Sequence, residues 1–228
     1  MGYLPIFLDL TGRRCLIVGG GEVAERKVRA LLEADARIRV VSPLLTSELR
    51  RMAAAGSIEY REREWQPQDL EDCALVFAAT DDARLHEAIA AEARSRGIPI
   101  NVADEPGLCD FIMPAIVRRG DVQIAVSTSG ASPALASRIR RDLEAIFGEE
   151  YAMVAQILRA VRSYLLEHQR DAAARARVLR GLAHSDLAER VREADWIAVN
   201  NLLQDHVGAG LDRLGIRPRE LSEHSRIA

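Results

Sequence analysis

Up to about Gly130 the chain alternates two patterns of apolar and polar positions. Short runs rich in β-branched residues read as strands: RCLIV (Arg14–Val18), RIRVVS (Arg37–Ser42), SIEYRE (Ser57–Glu62), ALVFAAT (Ala74–Thr80) and IPINVAD (Ile98–Asp104). Between them EVAERKVRALLEAD, TSELRRMAAAG and ARLHEAIAAEARSRG place apolar residues three and four apart, the spacing of one helix face. Strand and helix alternating at this rhythm imply parallel strands joined by right-handed crossovers. The expected fold class is α/β, a Rossmann-type doubly wound parallel sheet.

After Asp104 the pattern changes. FIMPAIVRRGDVQIAVSTSG reads as two extended runs around Arg119-Gly120-Asp121, a β-hairpin. Ser132-Pro133 offers an N-cap followed by proline at the first helical position. From there PALASRIRRDLEAIF, YAMVAQILRAVRSYLLEHQR and shorter Ala/Arg/Leu-rich segments are helical to about Leu214, and RPRELSEHSRIA reads as a frayed tail. The expected division is a Rossmann-type α/β domain over 1–110, a hairpin and helix region over 111–148, and a helical C-terminal domain over 149–228.

Composition narrows the field without naming a function. The chain is 48% hydrophobic with a formal net charge of −3, so bulk electrostatics give nucleic acid no reason to bind. Arginines cluster locally at Arg138, Arg140 and Arg141, which leaves room for an acidic ligand. Cys15, Cys73 and Cys109 are widely spaced and form no CxxC pair, as suits a reducing cytoplasm. The opening MGYLPIFLDL has no basic n-region and too short an apolar run for a signal peptide or a membrane span; the expected location is cytoplasmic.

The candidate chemistry begins directly after the first strand, at VGGGEVAERK. Gly19-x-Gly21-x-x-Ala24 fits the dinucleotide fingerprint in its required place between strand and helix. Gly19 permits the tight turn, Gly21 lets backbone approach a pyrophosphate, and Ala24 lets helix and sheet pack closely. The helix starting near Glu22 then aims free N–H groups at the phosphates. No acidic residue ends the second strand to hold a ribose; Ser42 stands there, followed by Pro43. No arginine selects a 2′-phosphate, so NAD is modestly favoured over NADP. Ligands of such sheets lie beyond the carboxyl ends of the strands. That puts Thr80, Asn101 and Asp104 on the glycine loop's rim. Asp81 and Asp82 read as caps of the following helix, and Asp104 alone could equally be a turn-former.

LPIFLDL (Leu4–Leu10), CLIVGGGEVAERK (Cys15–Lys27), FAATDD (Phe77–Asp82), NVADEP (Asn101–Pro106), FIMPAIV (Phe111–Val117) and AVSTSGASPALA (Ala125–Ala136) occur in this order. Together they resemble the siroheme synthase N-terminal module family, precorrin-2 dehydrogenase/sirohydrochlorin ferrochelatase. The resemblance implies NAD-dependent oxidation of precorrin-2 to sirohydrochlorin, with Fe2+ as a further substrate where the chelatase activity is present. It implies a homodimer whose substrate cleft uses elements of the partner, and a separate methyltransferase upstream, since no second glycine-rich start follows. By the same resemblance Glu22, Val23, Pro43 and Leu44 contact NAD and Asp104 handles protons, with transient Fe2+ contact there as an alternative. The substrate's carboxylate arms need donors, for which Ser127, Thr128, Ser129 and Gly130 before the Ser132-Pro133 helix start are candidates, with Arg138 and Arg141 a turn further on. Met113 is a candidate apolar wall. The histidines show no metal-ligand spacing, and His86 reads as a surface or packing residue. The alternatives are a dehydrogenase without chelatase activity, a non-catalytic NAD-binding regulator, and an NAD-binding module of the potassium-channel type.

Overall fold

A computed structural model describes residues 2–218. It divides into two compact units, Met1–Met113 and Pro114–Ala228. The first is built from β1 (Arg14–Val18), α1 (Glu22–Leu32), β2 (Arg37–Val41), α2 (Ser47–Ala54), β3 (Glu59–Arg61), β4 (Cys73–Ala78), α3 (Ala83–Ser95) and β5 (Ile100–Val102). The strands form one sheet in the order β3-β2-β1-β4-β5, every pairing parallel.

Side chains of a strand alternate between the faces of a sheet, so a strand apolar at every position must be covered on both sides. In β1, Cys15 and Ile17 join a core with Ala24, Val28 and Leu31 of α1 and Leu49 of α2. Leu16 and Val18 point the other way, into a core with Ile89, Ala90 and Ala93 of α3. The Rossmann-type layering expected from the sequence is thus present. Burial also makes the Cys15 thiol inert, pushing its pKa up to about 11, chiefly by desolvation.

The strands are shorter than their apolar runs at the functional edge. β2 stops at Val41, because Ser42–Thr46 folds back over the glycine loop, Thr46 N–H donating to the Gly20 carbonyl. β5 stops at Val102, and Asp104 enters the left-handed region with φ 59°. At the β2–β3 edge Asp69 is fully buried and accepts from Arg61 at 2.6 Å, from Arg63 at 2.6 and 2.8 Å, and from the Gln66 N–H at 2.9 Å. Burial alone would raise its pKa; Arg63, the Gln66 amide and Arg61 outweigh it and hold the carboxyl below the usual aspartate value. A carboxylate depressed in the folded state stabilises fully above the unfolded pKa and loses that contribution as pH falls through the folded value. Asp69→Asn is therefore expected to cost roughly 2–4 kcal/mol at pH 7, less than a fully buried pair because both guanidinium groups can rehydrate. Urea unfolding should show this deficit shrinking as the pH drops below about 4.

The second unit opens with the antiparallel hairpin β6 (Ala115–Arg119) and β7 (Val122–Val126), turned by Gly120 at φ 55°. Helices α4 (Pro133–Ile146), α5 (Glu150–His168), α6 (Ala172–Ala183), α7 (Leu187–Arg192) and α8 (Trp196–Val207) follow. The α5 stripe Met153, Ile157, Val161 and Leu165 packs on Leu182, Leu187, Val199 and Leu203. Among the described residues no helix is long and apolar enough to cross a membrane. Most of the tail expected to fray, 219–228, lies outside the described residues.

Candidate functional site

The site is assembled by strand register. Val18, Ala78 and Val102 are aligned on β1, β4 and β5. Backbone bonds carry the alignment past the strand ends: Gly19 N–H to Val41, Ala79 N–H to Val18 and Ala103 N–H to Ala78. The glycine loop, Thr80 and Asp104 therefore leave the sheet on one edge. With strands about 4.8 Å apart, Asp104's backbone stands roughly 10 Å from the glycine loop.

The three glycines do different things. Gly19 has φ 118°, and a Cβ on it would meet the Ala79 carbonyl oxygen at 2.1 Å. A Cβ on Gly20 would meet the Leu44 carbonyl oxygen at 1.9 Å. Gly21 has ordinary extended backbone and nothing within 4 Å of a Cβ. The first two are thus required by the protein's own packing, while the space over Gly21 is open. Gly21 is also the N-cap of α1 and supplies no side-chain cap, so the first N–H groups of that helix remain for a ligand. Glu22 is exposed and Val23 half-buried at this helix start.

Beside the loop, Pro43 and Leu44 are exposed, Leu44 at 75%. Ser42 is buried, and its hydroxyl donates to the Leu44 carbonyl at 2.7 Å. Its one proton is committed to the loop, which removes the donor role toward a ribose that the sequence allowed. Asn101 is likewise turned into the protein: its side-chain amide donates to the Phe111 carbonyl at 3.0 Å and braces the segment after β5. Asp82 caps α3, accepting from the Arg84 and Leu85 N–H groups, as its position implied.

Asp104 is exposed, and its carboxylate makes no hydrogen bond or ion pair among the described residues. Two residues with no assigned role in the sequence reading interact with Asp104 or with its neighbour Glu105. Lys27 is half-buried on α1, its Nζ 5.4 Å from the centre of the Phe77 ring. Burial pushes its pKa down and Arg26 adds to this, while Cys109 and Asp104 pull it back up. The other is His86, which is neither on the surface nor simply packed: it is 4% exposed and bonded through both ring nitrogens. Among the described residues no group of three or more His, Cys, Asp or Glu is arranged to hold a metal ion.

The substrate-side candidates divide between the units. Met113, 38% exposed, ends the first. In the second, Ser129 and Gly130 both have positive φ, 52° and 87°, and nothing lies within 4 Å of a Cβ on Gly130. The loop largely satisfies itself: Ser129 N–H donates to Ser127 Oγ, Ala131 N–H to the Thr128 carbonyl, and Ser132 N–H to Thr128 Oγ1. The start of α4 is poorer in donors than expected. Pro133 has no N–H, Ser132 Oγ takes that of Leu135, and the Ser132 carbonyl takes that of Ala136, leaving Ala134. Arg138 is exposed and pairs with Asp142 at 3.5 Å; Arg141 is exposed.

Sheet order, glycine loop and open helix start define a dinucleotide-binding α/β protein. Comparison with known proteins agrees: residues 6–115 match a family described as "Putative NAD(P)-binding" and residues 119–146 one described as "Sirohaem biosynthesis protein central". A siroheme synthase of Pseudomonas aeruginosa is 42% identical over 211 residues, 92% of this chain and 45% of that protein. One from Nitrosomonas europaea is 46% identical over 157 residues, 68% of this chain and 33% of that protein. The solved structure of SirC, a precorrin-2 dehydrogenase, superposes with a TM-score of 0.71 at 26% identity, covering 89% of this chain and 98% of SirC. The chain belongs to the family of the siroheme synthase N-terminal module. It spans about 45% of the length of the first of these siroheme synthases.

Proposed function

We propose that the chain oxidises precorrin-2 to sirohydrochlorin with NAD+, and that Fe2+ is a second substrate, inserted into the product. The observation that carries the reading is the shared rim: a glycine loop open over Gly21 and an exposed Asp104 leave one edge of the sheet. NAD+, when bound, supplies the hydride acceptor. The N–H groups of Glu22 and Val23 hold its phosphates; Pro43 and Leu44 give an apolar flank, and Ser42 keeps their loop in shape. Thr80 lines the same edge. Oxidation removes a hydride and a proton from the macrocycle; Asp104 takes the proton. Insertion of Fe2+ releases two pyrrole protons, which the same carboxylate can accept or relay.

Ser127, Thr128, Gly130, Met113 and Arg138 are assigned to the substrate's carboxylate arms and apolar edge. A homodimer is supported by the exposed Leu135 and Ile146 of α4 and by the two-stranded β6–β7 sheet. The precorrin-2 it consumes is supplied by a methyltransferase activity, and the reaction proceeds in the cytoplasm.

The test is anaerobic incubation with precorrin-2 and NAD+, followed by Fe2+, read by absorption spectra. Sirohydrochlorin should appear only with NAD+, and siroheme should then form faster than without protein. Sirohydrochlorin metallated only at the protein-free rate would remove the chelatase half and leave the dehydrogenase.

A further inference from the structure

His86 joins the two loops that carry the proposed site. From its buried place on α3 its Nδ1 lies 2.7 Å from Glu105 Oε1, and its Nε2 lies 3.4 Å from the Thr80 backbone nitrogen. The partners dictate the tautomer. The Thr80 N–H can only donate, so Nε2 must accept, and the Nδ1 proton then goes to the Glu105 carboxylate.

Each end of this bridge touches something the chemistry needs. The Thr80 turn lies under the glycine loop: the Ala79 carbonyl and Thr80 Cγ2 are the atoms a Cβ on Gly19 would meet. Glu105 directly follows Asp104, whose φ of 59° lies in the left-handed region that few residues other than Gly, Asn and Asp adopt. The Cys109 thiol, bonded to the Val102 carbonyl at 3.2 Å, holds the start of the same loop. A continuous chain of contacts therefore runs from glycine loop to Thr80, His86, Glu105 and Asp104.

We propose that His86 is a positioning residue for the reaction: through Glu105 it fixes the left-handed turn presenting Asp104, and through Thr80 it fixes the turn beneath the cofactor loop. This rests on the dehydrogenase reading above. His86 touches neither substrate nor cofactor in this role.

Two substitutions separate the halves of the bridge. His86→Gln keeps an acceptor at the reach of Nε2 and loses the bond to Glu105; His86→Asn keeps a donor near Nδ1 and loses the bond to Thr80. His86→Gln and Glu105→Ala are expected to lower kcat about tenfold with KM for NAD+ within about twofold, the loss of one well-placed hydrogen bond. Glu105→Gln, which retains an acceptor, restores kcat to within about twofold, and His86→Asn instead raises KM for NAD+ about fivefold. A wild-type kcat in Glu105→Ala, or a fall in kcat and a rise in KM that track Tm together in every variant, overturns the proposal.

Amide exchange read by NMR on the same proteins decides independently of turnover. Protection of the Thr80 amide should fall in His86→Asn and persist in His86→Gln. Equal protection in both overturns the bridge. If the wild-type protein leaves precorrin-2 unchanged, the dehydrogenase reading fails by itself and the exchange result still decides the role of His86.

Discussion

Asp104→Asn is expected to lower the rate of precorrin-2 oxidation by about 10²–10⁴-fold, the range for loss of a positioned proton acceptor. Asparagine is the informative replacement because the residue sits at φ 59°, a conformation that Asn tolerates nearly as well as Gly. The turn should thus survive, and Tm should stay within a few degrees of wild type. NAD+ affinity should change by less than about twofold, since Asp104 leaves the sheet two strand spacings from the glycine loop. Asp104→Ala would confound the measurement by adding backbone strain of roughly 1–3 kcal/mol. An Asp104→Asn protein oxidising precorrin-2 at the wild-type rate would remove the carboxylate from the chemistry.

The second large effect separates the adjacent glycines. Gly20→Ala drives a methyl group into the Leu44 carbonyl, a backbone atom that cannot swing aside. The expected cost is roughly 2–4 kcal/mol, seen as a drop in Tm together with lost NAD+ binding. Gly21→Asp should behave oppositely. Nothing in the protein opposes its Cβ, and aspartate is a favourable N-cap for α1, so Tm should hold or rise. Its charge at the helix start should weaken NAD+ at least about 100-fold, since like charges about 4 Å apart near a protein surface repel by several kcal/mol. Thermal melts and NAD+ titrations of the two proteins read both predictions. Tight NAD+ binding by Gly21→Asp would place the pyrophosphate elsewhere.

Much of this architecture was legible in the sequence, for definite reasons. β1 and α4 begin where the chain says, because a fully apolar run and a Ser-Pro N-cap are local signals. The glycine fingerprint was legible too, but not the role of Gly20, which depends on a carbonyl 24 residues further on. The partners of the Ser42 and Asn101 polar atoms, Leu44 and Phe111, were not legible, because they depend on how the following loops close. Lys27 and His86 each carry a legible signal of burial. Lys27 lies three residues after buried Ala24, and His86 lies three and four before buried Ile89 and Ala90. A polar side chain on the apolar face of a helix must find a partner inside. What it bonds to is set by tertiary contacts, so only the structure could join His86 to Glu105.

The most direct test is the stoichiometry of hydride transfer in a single anaerobic turnover, with NADH and sirohydrochlorin followed together by their absorbance. Equimolar formation of the two at the same rate, abolished together in Gly21→Asp, is the predicted result. Sirohydrochlorin appearing equally fast without NADH, or precorrin-2 persisting in saturating NAD+, would contradict it.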